Sequence, residues 1–508
     1  MKDLSERPYA LHLHSGDNVL VALRAVPAGM ALPGGLSAAE PIPAGHKIAR
    51  TAIAPGEAVR KYGQIIGAAT QPIAPGAHVH VQNLGMGAHK QDYGFGSAAR
   101  ALPPAESAAG FFGYRRPSGR IGTRNYIGIL TTVNCAGSVA RFIAEAAARA
   151  GLLDAFPNVD GIVPVVHGSG CGMSGKGEGY DTLFRTLAGY GRNPNFGAIL
   201  MVGLGCEVMQ IPDLVDREAM KDSDRFRFMT IQHEGGTRAT VERGLAILRE
   251  LAAAADQARR APAPASALVL GMQCGGSDGY SGITANPALG HASDLLVRQG
   301  GISILSETSE IYGAEHLLTR RAADEATGRK LVDLIDWWED YTARNFGEMD
   351  NNPSPGNKRG GLTTILEKSL GAVAKGGTAP LSGVYKYAEP IGSPGFAFMD
   401  SPGYDPCSVT GQTASGANLI AFTTGRGSVS GYQPVPCLKI ASNTLLWKRM
   451  EPDMDVNCGD ILDGTGIEEK GQEIFAALLR VASGERTKSE AQGFGAVEFV
   501  PWQIGAVM

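Results

Sequence analysis

Between residues 113 and 262 short apolar runs alternate with helical stretches, and this alternation limits the fold more than any other feature of the sequence. Residues 126–130, 161–166, 198–202 and 227–231 read as strands, and 139–150, 181–188 and 236–255 as the helices between or after them. Strands joined by helix-length crossovers pair in parallel, with the helices lying on the sheet faces. A chain of 508 residues is too long for one core, so this sheet accounts for only part of it. The stretch from 263 to 508 opens on a strand at 267–270, carries helices near 314–324 and 328–346, and returns to strands after 383. It reads as a second α/β domain.

The first ninety residues have another grammar. Short strands at 19–23, 65–68 and 78–81 lie between turns that recur as Val26-Pro27-Ala28-Gly29, Ile42-Pro43-Ala44-Gly45, Ile53-Ala54-Pro55-Gly56 and Ile73-Ala74-Pro75-Gly76. Proline fixes φ and glycine admits φ > 0, so each block specifies a turn. The expected organisation is an α/β multidomain chain: a small N-terminal all-β domain (1–90), a Gly/Ala/Ser/Pro-rich linker (91–112), a central parallel α/β domain (113–262) and a C-terminal α/β domain (263–508). The break before the last domain falls at Arg260-Ala261-Pro262-Ala263-Pro264.

Net charge is −4 with both signs interspersed, which argues against nucleic acid as a partner. No apolar run is long enough for a bilayer, and residues 1–8 lack the apolar stretch of a secretory leader, so a cytoplasmic location is expected. Seven widely spaced cysteines do not suggest a disulfide framework. Four of them, Cys135, Cys171, Cys206 and Cys274, follow expected strands in glycine-rich loops, where parallel sheets bind ligands. Two readings stand for these thiols: small buried side chains, or ligands for a metal ion or an iron–sulfur centre. Cys407, Cys437 and Cys458 lack that setting and read as structural. Six of ten histidines fall in the first ninety residues: His12, His14, His46, His78, His80 and His89. In each of the pairs 12/14 and 78/80 both side chains project to one strand face. Gly203-Leu204-Gly205-Cys206-Glu207 lacks the third glycine of a dinucleotide fingerprint, so NAD is not expected.

Several motifs resemble the altronate and galactarate dehydratase family. In the small domain, His14-Ser15-Gly16-Asp17-Asn18-Val19, Gly45-His46-Lys47 and Lys61-Tyr62-Gly63 are similar to the SAF-type domain of those enzymes. Further along, the run from Arg115 to Asn125, Cys274-Gly275-Gly276-Ser277-Asp278, the run from Ser281 to Pro287, the run from Asn352 to Lys358 and Phe422-Thr423-Thr424-Gly425-Arg426-Gly427 continue the likeness in unbroken order.

The resemblance implies a hydro-lyase dependent on a divalent metal, iron favoured, that converts a sugar acid such as galactarate or altronate to a 2-keto-3-deoxy sugar acid. It also admits a sulfolactate sulfo-lyase, and a sugar-acid binding protein without catalysis is a third reading. Such chemistry needs a base, an acid and stabilisation of charge on the carboxylate. His14, His46, Lys47 and His80 are the candidate acid–base groups. Arg124, Asn125, Ser277, Asp278, Asn286, Asn357, Lys358 and Arg426 are candidates for holding the substrate, and Cys135, Cys171, Cys206 and Cys274 for holding the metal. The segment 352–358, two prolines and a glycine among polar residues, is expected to be a rigid loop presenting Asn357 and Lys358. The expected partner is a small sugar-acid carboxylate, with no nucleic acid, no membrane, and a homo-oligomer such as a dimer.

Overall fold

The computed structural model describes residues 8–87, 91–218 and 223–505; His89 lies outside the described residues. The N-terminal domain is built on an antiparallel sheet in the order Ala10–Leu11, Val19–Ala22, Lys47–Ala49, His78–Val79. A three-stranded sheet of Ala58–Lys61, Gln64–Ala69 and Leu84–Gly85 lies beside it. The repeated turns organise this domain. Val26 pairs with Ile42 and Ile53 with Ile73 across isolated bridges, and all four side chains are buried. The glycine closing each turn has φ between 75° and 82°, as the turn chemistry requires. At Gly76 a Cβ would lie 2.1 Å from the Ser37 carbonyl oxygen, so glycine also permits the close approach of two loops there.

The central domain has four parallel strands in the order Gly161–Val165, Tyr126–Thr131, Phe196–Gly203, Phe226–Thr230. Helices Gly137–Arg149 and Thr237–Ala255 bury their apolar residues on one face. Glu178–Arg192 covers the other and packs against Asp405–Ser415 of the C-terminal domain, where Gly189 approaches the Ala414 carbonyl. That last domain is a seven-stranded parallel sheet, ordered Leu381–Tyr385, Gly395–Met399, Ile302–Leu305, Val269–Cys274, Leu419–Thr424, Cys437–Ala441, Val456–Asn457. The fold class therefore agrees with the expectation of a small β domain, a parallel α/β domain and a C-terminal α/β domain, and the last sheet proves parallel as well.

Two expected breaks are structured. Residues 110–112, placed in the linker, begin the strand Gly110–Arg115, and Arg260–Pro264, read as a break, is its antiparallel partner. Proline is tolerated here because Pro262 and Pro264 sit on an edge strand. The expected rigid loop at 352–358 contains a short helix, Pro355–Arg359, begun by a capping box in which the side chains of Ser354 and Asn357 satisfy each other's backbone. Among the described residues no helix is long and apolar enough to cross a membrane.

Candidate active site

The small domain docks on the C-terminal domain around the first turn of helix Ile365–Val373. Glu367, in that turn, is the anchor. Its Oε2 accepts from Lys47 Nζ at 2.7 Å and its Oε1 from Lys61 Nζ at 2.9 Å, with all three side chains buried. Thr363 adds its backbone N–H and its hydroxyl to Oε2. Burial alone would raise the Glu367 pKa, but Lys47 and Lys61 hold it well below the usual carboxylate range. Burial pulls Lys47 down to about 8 against the opposing pull of Glu367. Lys47 also donates to the Gly361 carbonyl at 2.7 Å. These contacts tie the strand Lys47–Ala49 to residues more than 300 positions away.

Beside Lys47 three imidazoles converge. His46 Nδ1 lies 2.9 Å from His78 Nε2, and the His46 ring is 4.6 Å from that of His80, centroid to centroid. One ligand nitrogen from each of the three lies within 4.8 Å of the others. His46 Nε2 faces the Arg359 carbonyl at 3.3 Å, so the group sits against the C-terminal domain. Burial lowers all three pKa values; His78 falls to about 4, helped by His46, and His80 to about 3, helped by Lys47. At neutral pH the imidazoles are therefore uncharged, the form in which they bind a metal. His80 Nδ1 is buried with no hydrogen-bond partner. Three neutral nitrogens, one of them orphaned, fit a divalent ion.

On the other side of the same helical turn lies a second polar group, beyond the carboxyl ends of strands Val269–Cys274 and Ile302–Leu305. Cys274, Glu307 and Glu310 are all buried, with one ligand atom from each within 4.8 Å of the others. Glu310 Oε1 accepts from Lys368 Nζ at 2.7 Å and from Asn352 Nδ2 at 2.6 Å. Burial and the neighbouring Glu310 push the Glu307 pKa well above the usual range. Despite burial, the Lys375 pKa is raised by Cys274 and Glu307. Glu307 Oε2, Glu310 Oε2 and Lys375 Nζ have no hydrogen-bond partner. Glu307 also has a left-handed backbone, φ 73°, as does Tyr62 of the small domain, φ 61°. Non-glycine residues held there store strain, which clusters at functional sites. Because Lys368 and Lys375 already supply positive charge, this group suits an anionic substrate better than a second metal. A crevice lined by Tyr62, Ser277, Asp278, Glu367 and Lys368 runs alongside.

The expected site residues divide. His46, Lys47 and His80 meet at the domain junction, whereas His14 is exposed and its Nδ1 only accepts from the Gly16 N–H. Ser277 lines the crevice with a buried, unpartnered hydroxyl. Asp278 is consumed by Ser281, Ser442 and Asn443, and Asn286 by Gly371 and Thr423. Asn357 caps its helix and donates to the Ser277 carbonyl. Lys358 is half-buried and Arg426 exposed. Arg124 makes a two-pronged pair with Glu490 and donates to three carbonyls, of Thr123, Val481 and Glu485; Asn125 bonds Arg116, Asn158 and Ala255. Both are structural clamps with no donor left for a substrate. The four expected metal thiols divide between two sheets: Cys274 ends a strand of the seven-stranded sheet, while Cys135, Cys171 and Cys206 lie in loops after strands of the central sheet. Glu307, Glu310, Lys368 and Lys375 were not among the expected site residues, although Glu307 lies two residues past a strand, as the cysteines were expected to do.

Comparison with known proteins places these domains. Residues 8–87 match the altronate/galactarate dehydratase SAF domain, 113–256 the D-galactarate dehydratase/altronate hydrolase second domain, and 265–507 the D-galactarate/altronate dehydratase C-terminal domain. The chain is 36% identical to an altronate dehydratase of Bacillus subtilis over 95% of its own length and 97% of the relative's. It is 38% identical to a galactarate dehydratase (L-threo-forming) of Escherichia coli over 95% and 94%. A (2R)-sulfolactate sulfo-lyase subunit beta of Chromohalobacter salexigens is 32% identical, covering 75% of this chain and 95% of that subunit. The chain belongs to the altronate and galactarate dehydratase family, with its SAF, second and C-terminal domains in that order.

Proposed function

We propose that the protein is a metal-dependent hydro-lyase that removes water from a sugar acid of the galactarate or altronate type, giving a 2-keto-3-deoxy sugar acid. Relatives with dehydratase names, similar over nearly their whole length, support the class. The observation that carries the reading is the trio of orphaned buried atoms, Glu307 Oε2, Glu310 Oε2 and Lys375 Nζ. Each unpartnered buried polar group costs about 1–3 kcal/mol, so three together call for a polar ligand.

His46, His78 and His80 would hold the metal; imidazole donors accept ferrous iron as they do other divalent transition metals. Bound there, it would supply Lewis-acid polarisation of substrate oxygens. The chain's own groups do the rest. Lys368 and Lys375 hold the substrate carboxylate and the negative charge that builds on it when the C2 proton leaves. Glu310, paired with Lys368, takes that proton on its free Oε2. Glu307, kept protonated by burial and by Glu310, gives its proton to the departing C3 hydroxyl, which leaves as water. A carboxyl group kept protonated by burial, beside one paired with an ammonium group, makes an acid–base pair. The enol left behind tautomerises to the 2-keto acid.

The test is purified protein with ferrous iron and a panel of aldarates, aldonates and sulfolactate, with 2-keto acid and sulfite both measured and no redox cofactor added. Formation of 2-keto acid from galactarate or altronate is expected. Sulfite release with no sugar acid consumed would overturn the reading.

A further inference from the structure

Cysteine is one of the residues most often buried, and Cys274, Cys407, Cys437 and Cys458 obey that rule. The three exposed thiols, Cys135, Cys171 and Cys206, break it together and in one place. Each lies in the loop at the carboxyl end of one of three neighbouring strands, Tyr126–Thr131, Gly161–Val165 and Phe196–Gly203. The loops are bonded to one another in all three pairings. Asn134 N–H donates to the Ser169 carbonyl at 2.9 Å, Val208 and Met209 N–H to the Gly170 carbonyl at 3.0 and 3.1 Å, and Thr132 Oγ1 to Glu207 Oε1 at 2.7 Å. Glycines in the left-handed region flank two of the thiols: Gly170 and Gly172 at φ 96° and 60°, Gly205 at φ 123°. A Cβ on Gly170 would lie 2.0 Å from the Thr132 carbonyl oxygen, so the loop carrying Cys171 is seated directly on the one carrying Cys135. This is a rigid rim presenting three thiols to solvent. A cavity of about 410 Å³ adjoins it, lined by Asn134, Ser138, Arg141, His167 and Gln503.

We propose that Cys135, Cys171 and Cys206 together hold an iron–sulfur cluster, at a site apart from the one assigned to dehydration. Soft thiolates select zinc, copper(I) or iron–sulfur centres. A single tetrahedral ion with metal–sulfur bonds of about 2.3 Å draws its sulfurs to about 3.8 Å from one another. Among the described residues, the groups with three ligand atoms already within 4.8 Å are the histidine and Cys274 groups, and these three sulfurs are not one of them. A cluster is several ångströms across and bridges thiols set farther apart. Three protein thiolates leave one iron of a four-iron cluster without a protein ligand, and that iron is open to a small molecule.

The whole chain is reconstituted without oxygen with ferrous iron and sulfide, desalted, and analysed for iron, acid-labile sulfide and visible absorption. About four iron and four sulfide per chain are expected at this site. Cys135→Ala, Cys171→Ala and Cys206→Ala should each remove most of the sulfide and the absorption, while Cys407→Ala keeps both. The melting temperature of each metal-free variant should match the parent, since the altered side chain is exposed. A chain that takes up no sulfide, one that binds a single zinc or iron ion at these thiols, or three alanine variants that keep the sulfide would each overturn the proposal. Sulfide content does not depend on turnover, so that result leaves the dehydratase reading untouched.

Discussion

Replacing Glu367 by glutamine tests whether the small domain is held on by charge. The carboxylate faces two buried ammonium groups, at 2.7 and 2.9 Å, and also accepts from Thr363. An amide of the same shape keeps one acceptor oxygen but turns an NH2 toward a lysine, and two cations lose the counter-charge they share. Removing one partner of a buried pair typically costs about 3–5 kcal/mol, because the remaining charge is left uncompensated. At about 2.1 cal/mol/K per residue, 508 residues unfolding together have an unfolding entropy of about 1 kcal/mol/K. The Tm should then fall by about 3–5 °C. If the small domain comes away first, an early transition appears and its shift is several times larger, because its own unfolding entropy is smaller. Calorimetry of the metal-free protein at neutral pH reads both. The combination Lys47→Met, Lys61→Met and Glu367→Met, which removes every charge at once, should recover most of the loss. A Tm for Glu367→Gln within about 1 °C of the parent, or a triple variant less stable than the single one, would refute the reasoning.

His46→Ala or His80→Ala should lower bound metal and cut turnover by about a hundredfold or more, while His14→Ala, exposed and outside the trio, should change neither; metal analysis beside the 2-keto acid assay checks this. Glu307 bears on pH. Its folded pKa is raised, so the folded state keeps a proton that the unfolded chain loses above about pH 4.3, and stability is lost as pH rises toward the folded value. Glu307→Gln is neutral at every pH, so its Tm should gain on the parent's between about pH 5 and pH 8, and a constant gap would contradict the assignment. Arg124→Met should cost about 3 kcal/mol or more in stability through the broken Glu490 pair, yet leave KM for the sugar acid unchanged.

Much of the architecture was legible because it rests on local chemistry. The Pro/Gly blocks in the small domain needed only the φ preferences of two residue types, and the central parallel sheet only the alternation of strand and helix; the order and direction of the seven C-terminal strands were not legible. The site was legible in part. His46 and His80 stood out because histidine is rare and was crowded into a short segment. Arg124 and Asn125 misled because a polar cluster at the start of a domain looks the same in sequence whether it binds a ligand or clamps two loops. Their partners, Glu490 and Ala255, are distant in the chain. Glu310, Lys368 and Lys375 are ordinary charged residues on or beside helical segments, and only burial, a long-range property, sets them apart.

The pairing of Gly110–Arg115 with Arg260–Pro264 makes the whole central domain a closed excursion. Residues 116–259 leave the rest of the chain and return to it across a ribbon in which Tyr114 faces Arg260. Geometrically the segment enters and leaves the fold at one ribbon, while Glu178–Arg192 and Arg124 seat it on the C-terminal domain. Its two cut ends already lie side by side, and the small and C-terminal domains meet at Glu367 without any contribution from it. Selection can therefore retune the loops this excursion carries, the three exposed thiols included, without moving a residue at the junction where the substrate is proposed to react.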